Sequence, residues 1–534
     1  MNSALHSVIQ GLCELPQQLR WSYLPPLMVY LAAGVSGLTA IVGTFFIKDY
    51  LNLSAAFLVS LGFWAGLPWA LKMPLGHLVD LIWNYKAYLV GLGAATIAAS
   101  LLIMYGLIGH TGFMASIMPV ETWFVTSVIL GPVGYVIQDV VADAMTVEAV
   151  PEQDKNGNDI APDQLKIMHT TMQTLGRFAI IGGTVLVSLA NVIMFTDVDS
   201  LDAAARIDLY ADIYLYALII PVISIAGVVL ARLQHSYRNA RTLQVHHTAT
   251  SPHQPPEINW SILLGSLVFV VFSLSVGTSG IGYAQEIVFV GSVGIILFLM
   301  NRLMRFLKPE KRLMVFGTAI IIFTFRAMPS PGPGLTWFEI DQLLFNEQFL
   351  SILSLIASML TLAGIIVLRP FMANNSIARI VVILSIAGAA LFLPSIGMYY
   401  GLHEWTATNS GGIVDAKFIA IINTAVESPL GQVSMIPLLA WIARNAPVHM
   451  KATFFAVFAS FTNLALSASA LGTKYLNEAF VVTREVKDKL SDAIVTTADY
   501  SELGMLLITV LLITLVVPIG MVIIVQNSRF KTID

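Results

Sequence analysis

Apolar runs of about 20 residues recur along the chain between short polar breaks, and a run of that length can cross a bilayer as a helix. Six come first, near 24–47, 54–79, 86–109, 118–143, 167–195 and 210–232. Two more, near 259–279 and 283–306, follow a polar stretch. The last six lie near 312–330, 345–369, 377–400, 413–443, 449–475 and 501–526. The pattern predicts an all-α membrane protein of about 14 transmembrane helices. Ahead of the first span, Leu5, Val8, Ile9 and Leu12 fall at helical spacing, which predicts a short interfacial helix. The first cation is Arg20, so no basic n-region marks a cleavable signal peptide.

Composition sharpens this reading. Of 534 residues, 57% are hydrophobic and 11% charged, against about 25% charged in soluble domains. A cytosolic enzyme, a disordered chain and a nucleic-acid binder are all excluded, the last because 28 Lys+Arg stand against 32 Asp+Glu. Cys13 is the single cysteine, so no intramolecular disulfide and no cysteine-held metal are expected.

Basic residues give an orientation. With the N-terminus inside, the cytoplasmic segments carry 18 Lys+Arg, including Arg302, Arg305, Lys308, Lys311 and Arg312 in one turn. The outer segments carry six: Lys48, Arg206, Lys474, Arg484, Lys487 and Lys489. Both termini are therefore expected in the cytoplasm, in the plasma membrane (the inner membrane of a bacterium), and the span count is even.

An internal repeat sets the expected architecture. Phe46-Ile-Lys-Asp49-Tyr-Leu51-Asn-Leu53, running to Phe57-Leu58, returns as Phe338-Glu-Ile-Asp341-Gln-Leu343-Leu-Phe345, running to Phe349-Leu350. Pro132-Val-Gly134 and Pro429-Leu-Gly431 repeat in the fourth span of each half. The organisation read from this is an interfacial segment 1–23, a six-helix half 24–232, a linker 233–258, two extra helices 259–311 and a second six-helix half 312–534. The linker combines His235, His246, His247 and His253 with Pro252, Pro255 and Pro256; it reads as solvated chain rather than a metal site.

Gly76 with Asp80 four residues on, then Lys86, resembles the loop motif of the major facilitator superfamily. The wider run Pro68-Trp69, Lys72, Gly76 and Asp80 resembles the folate–biopterin transporter family of that superfamily. So does Arg326-Ala-Met-Pro329-Ser-Pro331, followed by Trp337-Phe338, Leu343, Phe345 and Phe349-Leu350. The same holds for Gly431-Gln432, Met435, Pro437, Ala443-Arg444, Pro447, Ala452-Thr453, Phe455-Ala456, Ser460 and Asn463. Lys451 stands where that family usually has a glutamate, and Leu81 where the superfamily has a basic residue. The resemblance covers most of the chain, with motifs in both halves. The pair Gln138-Asp139, with Asp143 and Glu148 after it, is equally similar to muropeptide permeases and acetyl-CoA transporters, which stand as second choice. The resemblance implies a major facilitator fold and gating by Gly76, Asp80, Lys86 and Arg444.

Charges inside spans are costly and so face a cavity or one another. Asp139 and Asp143 share one helix face, as do Asn423 and Glu427. Lys72, Arg177 and Arg326 suit an anion, since guanidinium pairs bidentately with carboxylate. Asp139, Asn423 and Glu427 suit the amino-pyrimidine edge of a pterin, Trp69 or Phe338 suit stacking on its ring, and Asp143 and Glu427 suit proton handling. For the two aspartates the alternative is an interhelical ion pair with Arg177. Glu286 opens the eighth span, a position that fits the outer interface. No paired-His, Ser–His or Gly-rich phosphate motif indicates an enzyme, and no cofactor or metal is expected. The expected function is secondary transport of folate, biopterin or a related pteridine by alternating access, with proton coupling. The alternatives are a permease for another bulky anion such as a muropeptide, or a non-transporting receptor of the same fold. Besides substrate, the expected partners are membrane lipid and protons.

Overall fold

Backbone groups inside a bilayer find no water to bond with, so an apolar chain closes its own N–H and C=O groups in helices. The computed structural model describes residues 19–51, 53–70, 72, 75, 79, 85–151, 160–242, 260–279, 281–305, 307–368, 371–372, 375–430, 433, 451–487 and 494–532. Most of them are helical.

The first span is broken in the middle. Helix α1 (Leu24–Val35) opens on Pro25 and Pro26, tolerated there because the first-turn N–H groups have no intrahelical partner. A 3₁₀ turn at Ser36–Thr39 follows, then α2 (Ala40–Tyr50). Next come α3 (Ala55–Ala70), α4 (Lys86–Gly109), α5 (Val120–Ala149), α6 (Pro162–Met194), α7 (Ala203–Tyr216) and α8 (Ile219–Thr242). The central pair is α9 (Trp260–Thr278) and α10 (Ala284–Met304). Then follow α11 (Pro309–Arg326), α12 (Pro333–Asp341), α13 (Glu347–Val367), α14 (Ile377–Tyr399), α15 (Ala416–Glu427), α16 (Lys451–Ala479) and α17 (Leu503–Gln526). Several starts are capped as expected of short polar side chains: Asn346 accepts from Phe349 N at 2.9 Å and Asp415 from Phe418 N at 2.8 Å.

Nine helical stretches among the described residues are long and apolar enough to cross a membrane, with shorter apolar helices at Ala55–Trp69 and Leu267–Gly277. The chain is an integral membrane protein of helical architecture. The interfacial helix expected over Met1–Arg20 lies almost wholly outside the described residues, as does most of the linker after Thr242. One small departure from helix was not predicted. Between α16 and α17, β1 (Val486–Lys487) pairs antiparallel with β2 (Ile494–Thr496), and Thr483 bridges Asp499. Strands of two and three residues are too short to show a periodicity.

Contacts divide the chain into two compact units. The first holds 1–40, 74–191 and 201–264; the second holds 41–73, 192–200 and 265–534. In the first, α4 lies along α5, and α1 packs on α5 and α8. Glycines permit this closeness: a Cβ at Gly93 would meet the Gly134 carbonyl at 2.7 Å, and one at Gly134 would meet the Gly93 carbonyl at 2.6 Å. Ser100 and Ser127 then exchange hydroxyl-to-carbonyl bonds of 2.8 and 2.9 Å across the same pair.

In the second unit α3 and α10 both lie against α16, and α11 and α14 against α17. Helix α10 is pinned by polar groups: Gln285 Nε2 donates to Ser60 O and Oγ at 2.9 and 2.6 Å. Its neighbour Glu286 takes Lys474 Nζ at 3.2 Å and Tyr475 Oη at 2.5 Å. Helix α10 is thus held by hydrogen bonds to α3 and α16, and Glu286 is ion-paired with Lys474.

Candidate functional site

In the first unit the polar centre is built by α1, α5 and α6. Tyr30 on α1 is buried and donates its hydroxyl to Asp143 Oδ1 on α5 at 2.5 Å. Asp139, one turn earlier on α5, and Arg177 on α6 both act electrostatically on the same phenol. Both aspartates are half-buried and Arg177 is exposed. Among the described residues no hydrogen bond or ion pair engages Arg177. The neighbouring Gly176 makes room for this group, since a Cβ there would lie 2.8 Å from the Tyr30 ring. The pair Gln138-Asp139 divides its labour. Gln138 is buried, with Nε2 on the Val90 carbonyl and Oε1 accepting from Ser224 Oγ at 2.9 Å, so it ties α5 to α4 and α8. Asp139 is half-buried and engaged in interactions of its own.

Tyr30 was invisible in the sequence. A lone tyrosine in an apolar helix gives no signal until a carboxylate is found within reach of its hydroxyl.

The expected site residues of the second unit are Lys72, Arg326, Asn423 and Glu427. Lys72 and Arg326 are half-buried and each is engaged in other interactions. Asn423 is half-buried and Glu427 exposed on α15. Asn463 Nδ2 reaches the Trp69 carbonyl at 3.3 Å. Phe338 does not stand free for stacking: it is buried, with its ring 5.5 Å from that of Tyr399 and 5.7 Å from that of Tyr500. Lys86 begins α4, half-buried and engaged. Gly76, Asp80 and Arg444 lie outside the described residues.

The same unit contains a charge cluster at the C-terminal end of α2. Lys48 Nζ sits 2.5 Å from Asp341 Oδ1 and 3.0 Å from Asp49 Oδ1. Tyr500 donates to the other Asp341 oxygen at 2.5 Å. Above them Arg484, only 3% exposed, comes from the loop between α16 and α17. Its Nε donates to Lys48 O at 2.8 Å, Nη1 to Leu53 O at 2.7 Å, and Nη2 to Ile47 O at 2.9 Å and to Leu51 O. Its guanidinium also lies 4.1 Å over the Trp337 ring. Burial pulls its pKa down to about 10, against the upward pull of Asp49, Tyr500 and Asp341, so it is a cation at neutral pH. The sequence places Lys48 and Arg484 only as cations of outer segments. The one available signal was the repeat, which carried Asp49 and Asp341 at matched positions. No group of three or more possible metal-ligating side chains occurs among the described residues.

Solved structures share this architecture. A POT family transporter in complex with a thioalcohol conjugated peptide has a TM-score of 0.58 at 11% identity, over 96% of this chain and 96% of that one. The nucleoside transporter NupG has a TM-score of 0.52 at 12% identity, over 96% of this chain and all of that one. At such identity the likeness is one of fold alone. No curated protein matches the sequence. The family model that matches is that of the BT1 family, over residues 214–534. This corrects the reach drawn from the motifs, which claimed most of the chain for the folate–biopterin transporters and set two sister families beside them. The match takes in the motifs after Arg326 but not Pro68–Asp80 or Gln138–Asp143, whose short patterns are shared too widely to assign a family. With more than half of its residues matched, the chain belongs to the BT1 family.

Proposed function

We propose that the protein moves an anionic pteridine, of the folate or biopterin class, by alternating access coupled to protons. The observation that carries the reading is Arg177: an exposed guanidinium near the start of the apolar stretch Thr174–Ser200 of α6, with the Tyr30–Asp143 pair in electrostatic reach. A guanidinium kept in a span needs an anion, and Asp143 already has a phenol on one oxygen. A substrate carboxylate would complete Arg177 with two parallel hydrogen bonds. Taken singly, Asp139 in the first unit and Asn423 and Glu427 in the second are candidate acceptors for an amino-pyrimidine edge, and Lys72 and Arg326 are candidate positive charges. Asp143 and Glu427 are the proton carriers, because a carboxylate whose partners change during a transport cycle can gain and lose a proton. Gly76, Asp80, Lys86 and Arg444 serve gating. The topology that goes with this reading is two six-helix halves around two extra helices, in the plasma membrane with both termini cytoplasmic. The count of 18 inner against six outer basic residues supports it.

The test is uptake by cells unable to make folate. Arg177→Lys keeps the charge and loses the fork. Folate uptake should fall about tenfold, the size of one lost charge-assisted hydrogen bond, while uptake of an uncharged pterin stays close to wild type. Equal loss of both would make Arg177 structural, and wild-type cells taking up neither compound would refute the substrate class.

A further inference from the structure

In the internal repeat, Glu339 of the second copy stands where Ile47 stands in the first. Both are half-buried, so the fold accepts an apolar side chain at this place and has no need of a carboxylate for packing. The Glu339 backbone has a structural use, since its carbonyl accepts from Phe345 N at 3.1 Å beyond the end of α12. Its carboxylate has none. Among the described residues no hydrogen bond or ion pair engages it.

The surroundings explain this isolation. Trp337 and Asp341 flank Glu339 two residues to either side, so they share the opposite face of α12. On that face Lys48, Asp49, Arg484, Glu485 and Tyr500 act on Asp341 or on one another. Helix α3, which packs on α12, carries no titratable residue. The core around Phe338 joins α12 to α13, α14, α15, α16 and α17. There Tyr399 donates to Tyr500 O at 3.0 Å, Lys417 lies over the Phe349 ring, Lys474 takes Glu286 and Glu478, and Glu347 is engaged. None of these groups acts on Glu339. Helix α12 lies between the apolar runs near 312–330 and 345–369, outside the spans. Burial alone sets the state of its lone carboxyl, and pushes it up to about 7.

Two other carboxylates differ. Asp143 shares its charge with the Tyr30 hydroxyl, and Glu427 is exposed. Glu339 is shielded enough to favour the neutral acid, and half-burial leaves water a way to reach it. We propose that Glu339 binds and releases the proton that drives transport, as a third carboxylate beside Asp143 and Glu427. The step is a plain proton transfer: hydronium gives its proton to a carboxylate oxygen, and the acid returns it to water later in the cycle. That Glu339 takes a proton stands on its own; that this proton drives transport rests on the proton-coupled reading above.

Thermal unfolding of the purified full chain in detergent, without substrate, tests the proton. A carboxyl raised in the folded chain holds an extra proton between about pH 4.5 and 7, so its contribution to stability is lost as pH rises through that window. Glu339→Gln mimics the neutral acid. It should match the wild type at pH 5 and unfold about 2 °C higher than the wild type at pH 8. The same offset at both pH values would overturn the proposal. If Glu339→Gln does not fold, Glu339→Leu, apolar like Ile47, gives the same comparison. Reconstituted vesicles test the coupling. Under an inward proton gradient, Glu339→Gln should lose uphill folate uptake at least tenfold, with exchange of preloaded folate within twofold of wild type. Glu339→Asp should keep most of that uptake. Gradient-driven uptake by Glu339→Gln equal to the wild type would also overturn the proposal. A wild type that moves no folate fails the substrate reading, while the thermal comparison still decides for or against the proton site.

Discussion

Two neighbouring positions on α6 illustrate how much a single side chain can decide. Gly176 faces the Tyr30 ring, with 2.8 Å between that ring and an added Cβ, while Gly182 has no heavy atom within 4 Å of one. Gly176→Ala should therefore push Tyr30 aside, loosen its bond to Asp143, and cost about 1–3 kcal/mol by overpacking. Gly182→Ala should be neutral or stabilise by about 0.5–1 kcal/mol, because alanine loses less backbone freedom in a helix. Unfolding midpoints of the two variants in detergent check this; equal midpoints would show that Tyr30 does not depend on the space beside it. Gly182 and Gly183 looked alike in the sequence. Only Gly183 is pressed on, by the Leu31 carbonyl and the Gly34 backbone of α1. Residue-level legibility was uneven for a physical reason. Asp139 and Asp143 stood out because charge is rare in spans, whereas Tyr30 and Gln138 acquire their roles only through partners 113 and 86 positions away.

At the scale of elements, most of the plan could be read from hydropathy. A helix lies within each apolar run, because a bilayer leaves the backbone little choice. Breaks were harder. The first span divides at Ser36–Thr39 without a proline, and the chain between α11 and α12 turns where Met328-Pro-Ser-Pro-Gly332 stands. Helix α2 meets α12 through the Lys48–Asp341 pair, whose side chains are 8% and 15% exposed. Removing one partner leaves the other's charge buried. Lys48→Met or Asp341→Leu alone should cost about 3–5 kcal/mol, while the double change should cost less than the sum of the two. A double-mutant cycle on the unfolding free energy measures the difference. Simple additivity would mean that Asp49 and Tyr500 already satisfy each group by themselves.

For the whole molecule, the strongest prediction concerns sidedness. The count of basic residues by segment puts the linker inside, so a cysteine at Gln244 in a Cys13→Ser chain should react with an impermeant thiol reagent only after the membrane is opened. Labelling in intact cells would reverse the orientation. Two members of that count do more than mark a side. Lys48 and Arg484, both counted in outer segments, are buried and bonded within the α2 cluster. Segment counting treats each cation as solvated, and it cannot register a pairing made by folding. Family membership was hard to read from short motifs for a similar reason. Gly-x-x-x-Asp and Gln-Asp serve packing and charge needs common to many transporters, and the family match rests on the longer C-terminal stretch.

The Arg484 bonds also set an order of events during synthesis. The residue that closes the end of α2 lies 436 positions after Lys48. At about 5–20 residues per second, the ribosome needs roughly 20–90 seconds to reach it. Over that interval the carbonyls of Ile47, Lys48, Leu51 and Leu53 lack the guanidinium, and the first and third keep only the backbone donors Leu51 N and Leu53 N. The first helix to enter the membrane is therefore among the last to be finished. A chain cut short before Arg484 lacks this side-chain cap.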